Sequence, residues 1–393
     1  MSRKTLLLCA IVLISLTVRI FAAQEAKPNT LNENELADGW ISLFDGETLY
    51  GWEPSSKADW KVTNGVISVG AGEKGLLCTT SEFADYVFKV DFRAPAATNS
   101  GVFLRTPTVP KNPAEDCYEL NIATPAVSPF PTGSFVQREK ATTKSFDEDW
   151  HTFEVTAYGA RWIVQLDGQP VLEYTDQKPL GRGRIGLQFN EGKVEFKNVK
   201  LKPLNLKTIF NGRDLAGWQA VEPNKSQFTV TDKGELNVKN GRGALESQQS
   251  YGDFVLQLEC FSNGKHLNSG IFFRSIPGEF NNGYECQIRN EYKDGDRNQP
   301  VDFGTGGIYR RQPARRVTAD DFKWFPMTLV VSGSHMAAWV NGIQVSDWTD
   351  TRKPHENPRN GLRTEAGTLQ IQGHDPTTDL SFRKLRIVEM PKR

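Results

Sequence analysis

Asn99-Ser100-Gly101-Val102-Phe103-Leu104-Arg105 and Asn268-Ser269-Gly270-Ile271-Phe272-Phe273-Arg274 are one seven-residue phrase written twice, and this repetition decides the reading of the chain. Working outward, the same flanking signals recur in the same order. Leu43 to Trp52 reads LFDGETLYGW and Ile209 to Trp218 reads IFNGRDLAGW. Phe83-Ala84-Asp85-Tyr86 returns as Tyr251-Gly252-Asp253-Phe254, Tyr118-Glu119 as Tyr284-Glu285, and Leu166-Asp167-Gly168 as Val340-Asn341-Gly342. The separation grows from 166 residues (Gly46 to Gly212) to 174 (Gly168 to Gly342), so the differences collect in loops. A self-similar period of this size describes two tandem units, 39–203 and 207–390, joined by a short linker.

Within each unit the hydrophobic period is two. YVFKVDFR from Tyr86, FVLQLECF from Phe254 and FEVTAYG from Phe153 alternate or run apolar over strand lengths. Asn-Gly, Asp-Gly and Gly-rich turns separate them, and the Asp167-Gly168 and Asn341-Gly342 pairs are favoured two-residue hairpin signals. No long amphipathic helix is written anywhere. Many short strands in about 165 residues imply, in each unit, a β-sandwich of two antiparallel sheets. The expected fold class is all-β.

The 393 residues carry 47 Lys+Arg against 47 Asp+Glu. A zero balance argues against nucleic-acid binding, which draws on clustered basic charge. No phosphate loop or dinucleotide fingerprint is present, and no cofactor is expected. Arg3 and Lys4, the apolar run Thr5 to Leu16 and Phe21-Ala22-Ala23 form an export signal over residues 1–23. The chain is therefore expected in the periplasm or outside the cell, with no membrane span in its mature form. Arg19 interrupts the competing reading, an uncleaved anchor. Residues 24–38 read as a loose polar leader. Cys78, Cys117, Cys260 and Cys286 match no metal spacing; Cys260 and Cys286 share a unit and can be bridged, or all four are buried thiols.

Period-two geometry places Glu285, Gln287 and Arg289 on one face of a strand and Tyr284, Cys286 and Ile288 on the other, with Glu119 and Asn121 repeating the arrangement. Such a stripe is either a sugar platform or a solvated outer face. Arg274, and Arg105 in the first unit, end the strand of the repeated phrase; Arg274 either stabilises an anion or pairs with Glu285. Asn268 opens a strand, and Thr305-Gly306-Gly307-Ile308-Tyr309 brings a Gly pair next to Tyr309. His266 and His374 belong to the second unit only, His374 standing opposite Asn190, and an imidazole suits proton transfer near neutral pH.

The ordered series, LF-G-L-GW, NSGI--R, GYE-QI, TGGIY and LQIQGH in this chain, resembles the 3-keto-disaccharide hydrolase family, and the resemblance covers both units. It implies a concanavalin A-like jelly roll and an enzyme acting on an oligosaccharide or glycoside oxidised at C3. A ketone at C3 acidifies the C2 proton, so a base can remove it, the C1 substituent leaves by β-elimination, and water adds back. Such a site needs a base, an electrophile for the enolate oxygen and an acid for the leaving group. Glu285 and His374 are the candidate bases and Arg274 the electrophile. Gln287, Arg289, Tyr309, Asn268 and His266 are candidate sugar contacts, with Glu119, Asn121 and Arg105 in a degenerate first unit. A metal site is left open, a divalent cation at a carboxylate–His pair having no motif behind it, and no obligate protein partner is indicated. The competing classes are a lectin-like carbohydrate-binding protein and a Trp-rich interaction scaffold. N-terminal sequencing of native material is expected to start at Gln24; an intact Met1 would favour the anchor.

Overall fold

A computed structural model describes residues 28–143 and 147–392; the expected export signal, residues 1–23, lies outside them. Among the described residues each unit contributes thirteen strands to an antiparallel sheet of eight packed on a sheet of five. In the second unit the smaller sheet runs Trp218–Val221, Gly243–Tyr251, Gly367–Gly373, Ser269–Ser275, Tyr284–Ile288, and the first unit repeats this order. Each unit's first strand pairs with its last, Ile41–Ser42 on Val194–Pro203 and Lys207–Thr208 on Asp379–Glu389, as a jelly roll requires. The only helices among the described residues are Glu33–Asp38 and Pro113–Asp116. The all-β expectation is the fold observed.

Alternation explains both cores. Tyr86, Phe88, Val90 and Phe92 of one strand point into the first sandwich and are fully buried. Their counterparts Phe254, Leu256, Leu258 and Cys260 fill the second. The strand Phe254–Ser262 is also buried on its other face, because that face is where the units meet: Val255, Val330, Ala337 and Trp339 join the first unit's core cluster. Trp339 packs edge-on against Phe83 at 6.4 Å and donates Nε1–H to the Ser42 carbonyl at 2.9 Å. Arg182–Asp253 and Arg315–Asp45, both at 2.6 Å, brace the rim. The thiols of Cys260 and Cys286 are buried and free, not bridged.

The leader is not loose from Pro28 onward. Asn32 and Glu35 form a reciprocal capping box at the helix Glu33–Asp38, satisfying two otherwise orphaned backbone donors. Asn29 exchanges hydrogen bonds with Asn198, Glu35 pairs with Lys200, and Asp38 pairs with Lys202. Leu31 and Leu36 close on Gly342 so tightly that a Cβ there would lie 2.5 Å from Leu31 and 2.9 Å from Leu36. The segment thus straps the first unit to the second.

The repeated phrase ends in a structural clasp in both units. Arg274 Nε–H donates to the Gly252 carbonyl, Nη1 to those of Gly333 and Arg363, and Nη2 to Asp253 at 2.7 Å. Arg105 repeats this with Ala84, Gly159, Leu180 and Asp85. This corrects the expectation that Arg274 faces Glu285 and acts on an anion, and that Arg105 contacts sugar. The alternation breaks because both arginines have φ of 48° and each lies at a register shift, which turns the guanidinium from the sheet face into the loops. A glycine must stand opposite: a Cβ at Gly183 would lie 2.3 Å from Arg105 backbone, and one at Gly367 2.4 Å from Arg274 backbone. Arg274→Met removes four donors from buried acceptors and is expected to lower unfolding free energy by about 3–5 kcal/mol. Arg105→Met should cost a similar amount, both read by chemical denaturation.

Candidate functional site

The smaller sheet of the second unit presents a polar row, Glu246–Gln370–Phe272–Glu285, to the face away from the core. The neighbouring row pairs Ala244 with Gln372 and Gly270 with Gln287. These side chains are not a solvated outer face. Glu285 is 4% exposed and Gln287 1%, because loops rise around them and enclose a cavity of about 630 Å³. Gly270 is required here, since a Cβ would approach Glu285 Oε1 to 2.6 Å.

Glu285 sits on the cavity floor and accepts a 2.9 Å hydrogen bond from Arg359, whose guanidinium also stacks on Phe272 at 4.9 Å. Burial pushes the Glu285 carboxyl above its usual range, and the Arg359 charge pulls part of that back. His374 lines the wall in the turn after Gly367–Gly373, its Nδ1 held by Asp375 at 2.7 Å. That bond fixes the ring and leaves Nε2 available for proton transfer.

Asp302 orients two amides of the floor. Asn268 Nδ2 donates to Asp302 Oδ2 at 2.8 Å, and Gln287 Nε2 donates to its carboxylate and carbonyl at 3.0 and 2.9 Å. With their NH2 groups turned to Asp302, Asn268 Oδ1 and Gln287 Oε1 are left buried without a donor, as is Gln372 Oε1. Buried acceptors without partners are uncommon. Three of them lining one cavity are acceptors suited to ligand hydroxyls. Among the described residues no cluster of three His, Cys, Asp or Glu side chains is gathered to hold a metal ion.

Of the residues picked out from sequence, Glu285, His374, Gln287, Asn268 and Tyr309 meet in this cavity. Arg274 and Arg105 do not, being the clasps described above. Arg289 also departs: the strand ends at Ile288, so Arg289 escapes the period-two register and pairs with Glu291. His266 is half-exposed, with Nδ1 3.7 Å from Glu291. Sequence reasoning missed Arg359, Asn360, Asn281, Arg242, Arg310 and Arg311. Arg359 and Asn360 lie in a loop about ten residues longer than its first-unit counterpart, and that length difference was the available signal.

The matching face of the first unit is apolar where the second is polar. Its row reads Cys78–Gly186–Phe103–Glu119, and Leu76, Cys78, Phe103 and Cys117 form a small buried cluster on it. Asn121 donates through Nδ2 to the Phe130 carbonyl and to Ser128 of the Pro-rich loop. Glu119 has Gln188, at 3.2 Å, where Glu285 has an arginine, and burial pushes its carboxyl up to about 7.

The chain is thus a tandem pair of concanavalin A-like β-sandwiches with a polar cavity on the second. It belongs to the 3-keto-alpha-glucoside-1,2-lyase-like domain family, which matches residues 39–202 and 205–388. No curated protein matches it. Among solved structures, a candidate glycosyl hydrolase from Parabacteroides distasonis ATCC 8503 is 23% identical, with a TM-score of 0.42, over 46% of this chain and 100% of that one. The carbohydrate-binding module CBM66 from Bacillus subtilis is 16% identical, TM-score 0.33, over 39% of this chain and 95% of its own. The Bacillus licheniformis β-glucanase is 13% identical, TM-score 0.32, over 47% and 96%.

The Glu119 shift makes a pH prediction. A carboxyl raised from 4.5 to about 7 in the folded state favours folding while protonated, and that contribution is lost as pH rises through this window. Melting temperatures of the wild type and Glu119→Gln are expected to converge near pH 4, separate as pH rises from 4.5 to about 7, and stay apart above it, with Glu119→Gln the more stable.

Proposed function

We propose that this protein is an exported enzyme that cleaves 3-keto-glycosides in its second unit by elimination at C1–C2 followed by hydration. The observation that carries the reading is the placement of a buried carboxylate, an arginine and an oriented histidine around one cavity of sugar size in a member of this family. Glu285, shifted towards working pH by burial, takes the C2 proton. The electron pair forms the enolate, whose C3 oxygen is stabilised by the Arg359 guanidinium, a role expected of Arg274 from the sequence. The C1–O bond then breaks, and His374 gives the leaving oxygen its proton. Water adds to C1 of the resulting enone, C2 regains a proton, and the products are the free 3-keto-sugar and the released alcohol. Asn268, Gln287 and Gln372 hold ring hydroxyls through their unpartnered oxygens, and Tyr309 supplies an aromatic wall.

The test is release of sugar from a 3-keto-disaccharide and from its unoxidised parent by the purified protein, with only the oxidised sugar expected to react. Glu285→Gln and His374→Ala should each lower kcat by about 10²–10⁴-fold, the usual contribution of a general acid–base group. Glu119→Gln should cost far less. A wild type that releases no sugar from any 3-keto-glycoside yet binds unoxidised glycans would make the protein a lectin.

A further inference from the structure

The cavity holds more positive charge than the proposed chemistry requires. Arg359 pairs with Glu285 and serves the proposed enolate, but Arg242, Arg310 and Arg311 also line the cavity, and none has a carboxylate within salt-bridge distance among the described residues. Arg310 and Arg242 lie over the rings of Tyr309 (5.4 Å) and Phe280 (5.2 Å), and Arg311 donates only to the carbonyls of Arg310 and Arg359. In a protein of zero net charge, three guanidinium groups without a carboxylate partner line one opening.

The first unit shows that this exposure of charge is particular to the second. There, Arg138 occupies the position of Arg311 and is neutralised by Asp176 at 2.9 Å, while Gln137 stands where the second unit has Arg310. In the second unit the matching carboxylate, Asp350, still accepts from Tyr284 at 2.7 Å, as Asp176 does from Tyr118. However, Arg352, from the longer loop, takes both Asp350 oxygens at 2.9 and 2.8 Å. Arg311 is displaced from its acid and faces the cavity. Burial, followed by the nearby Arg352 charge, lowers the Arg311 pKa, and the Asp350 charge offsets part of this.

We propose that the substrate of this cavity is an anionic glycoside, with a carboxylate or sulfate ester on the sugar or aglycone beyond the reacting ring, read by Arg310 and Arg311 with Arg242 at the rim. This rests on the proposed function for the placement of the reacting ring at Glu285. The floor, with its orphaned amide oxygens, reads neutral hydroxyls. The rim offers planar donor forks that match an oxyanion bidentately, and a cleft lined by one sign of charge concentrates ligands of the other.

The experiment is titration calorimetry of the protein with three unoxidised disaccharides identical except at C6 of the reducing sugar: glucosyl-glucose, glucosyl-glucuronate and glucosyl-glucose 6-sulfate. At low salt at least one anionic member should bind about tenfold or more tightly than the neutral one, with the advantage shrinking as salt rises. The preferred member distinguishes carboxylate from sulfate recognition. The double substitutions Arg310→Gln/Arg311→Gln and, in case the first disturbs the Arg359 loop, Arg242→Gln/Arg310→Gln should bring the affinity ratio towards one. Equal affinity for all three, binding of none at millimolar concentration, or an advantage that survives both double variants overturns the proposal. Turnover of a neutral 3-keto-disaccharide without anionic preference would sink this inference and leave the proposed function standing. Anionic preference without release of any 3-keto-sugar would do the reverse.

Discussion

A buried arginine held by one aspartate and three backbone carbonyls is the interaction on which each sandwich depends. Arg105 and Arg274 leave their strands through a left-handed residue and enter the gap between sheet and loops. The same aspartates also accept from the backbone N–H of Gly159 and Gly333, so one charge pair fixes the five-stranded sheet to the hairpin of the opposite sheet. Leaving such a guanidinium unpaired in a core is costly, which ties the Arg, the Asp and the facing glycine together. The two most legible motifs of the sequence, the Asn-Ser-Gly phrase and the aromatic-x-Asp-aromatic pair, are the two halves of this clasp.

Once both scaffolds are held identically, the units can differ on the exposed face of the smaller sheet. At matched positions the first unit places Cys78 and Gly186 where the second has Glu246 and Gln370. Small and apolar side chains close that face, whereas buried carboxylate and amides must be hydrogen-bonded or offered to a ligand. The longer loop of the second unit adds Arg359 over Glu285 and Arg352 over Asp350. One insertion therefore supplies the partner of Glu285 and redistributes the charge of the rim. The first unit contributes through its contact with the second, where Trp339 and the leader helix make a single packed block of two sandwiches.

The sequence by itself determined the duplication, the all-β class and the face on which Glu285 and Gln287 lie, because strand alternation and hairpin turns are local and carry their own period. It also brought out His374, one of the histidines with no counterpart in the first unit. It could not determine where Arg105, Arg274 and Arg289 point, because a left-handed residue or a strand end cancels the alternation from which their direction was inferred. Nor could it find Arg359 or the unpaired Arg310 and Arg311. These depend on which distant carboxylate each guanidinium reaches, and on a loop, without period of its own, that only the packed sandwich brings over the sheet.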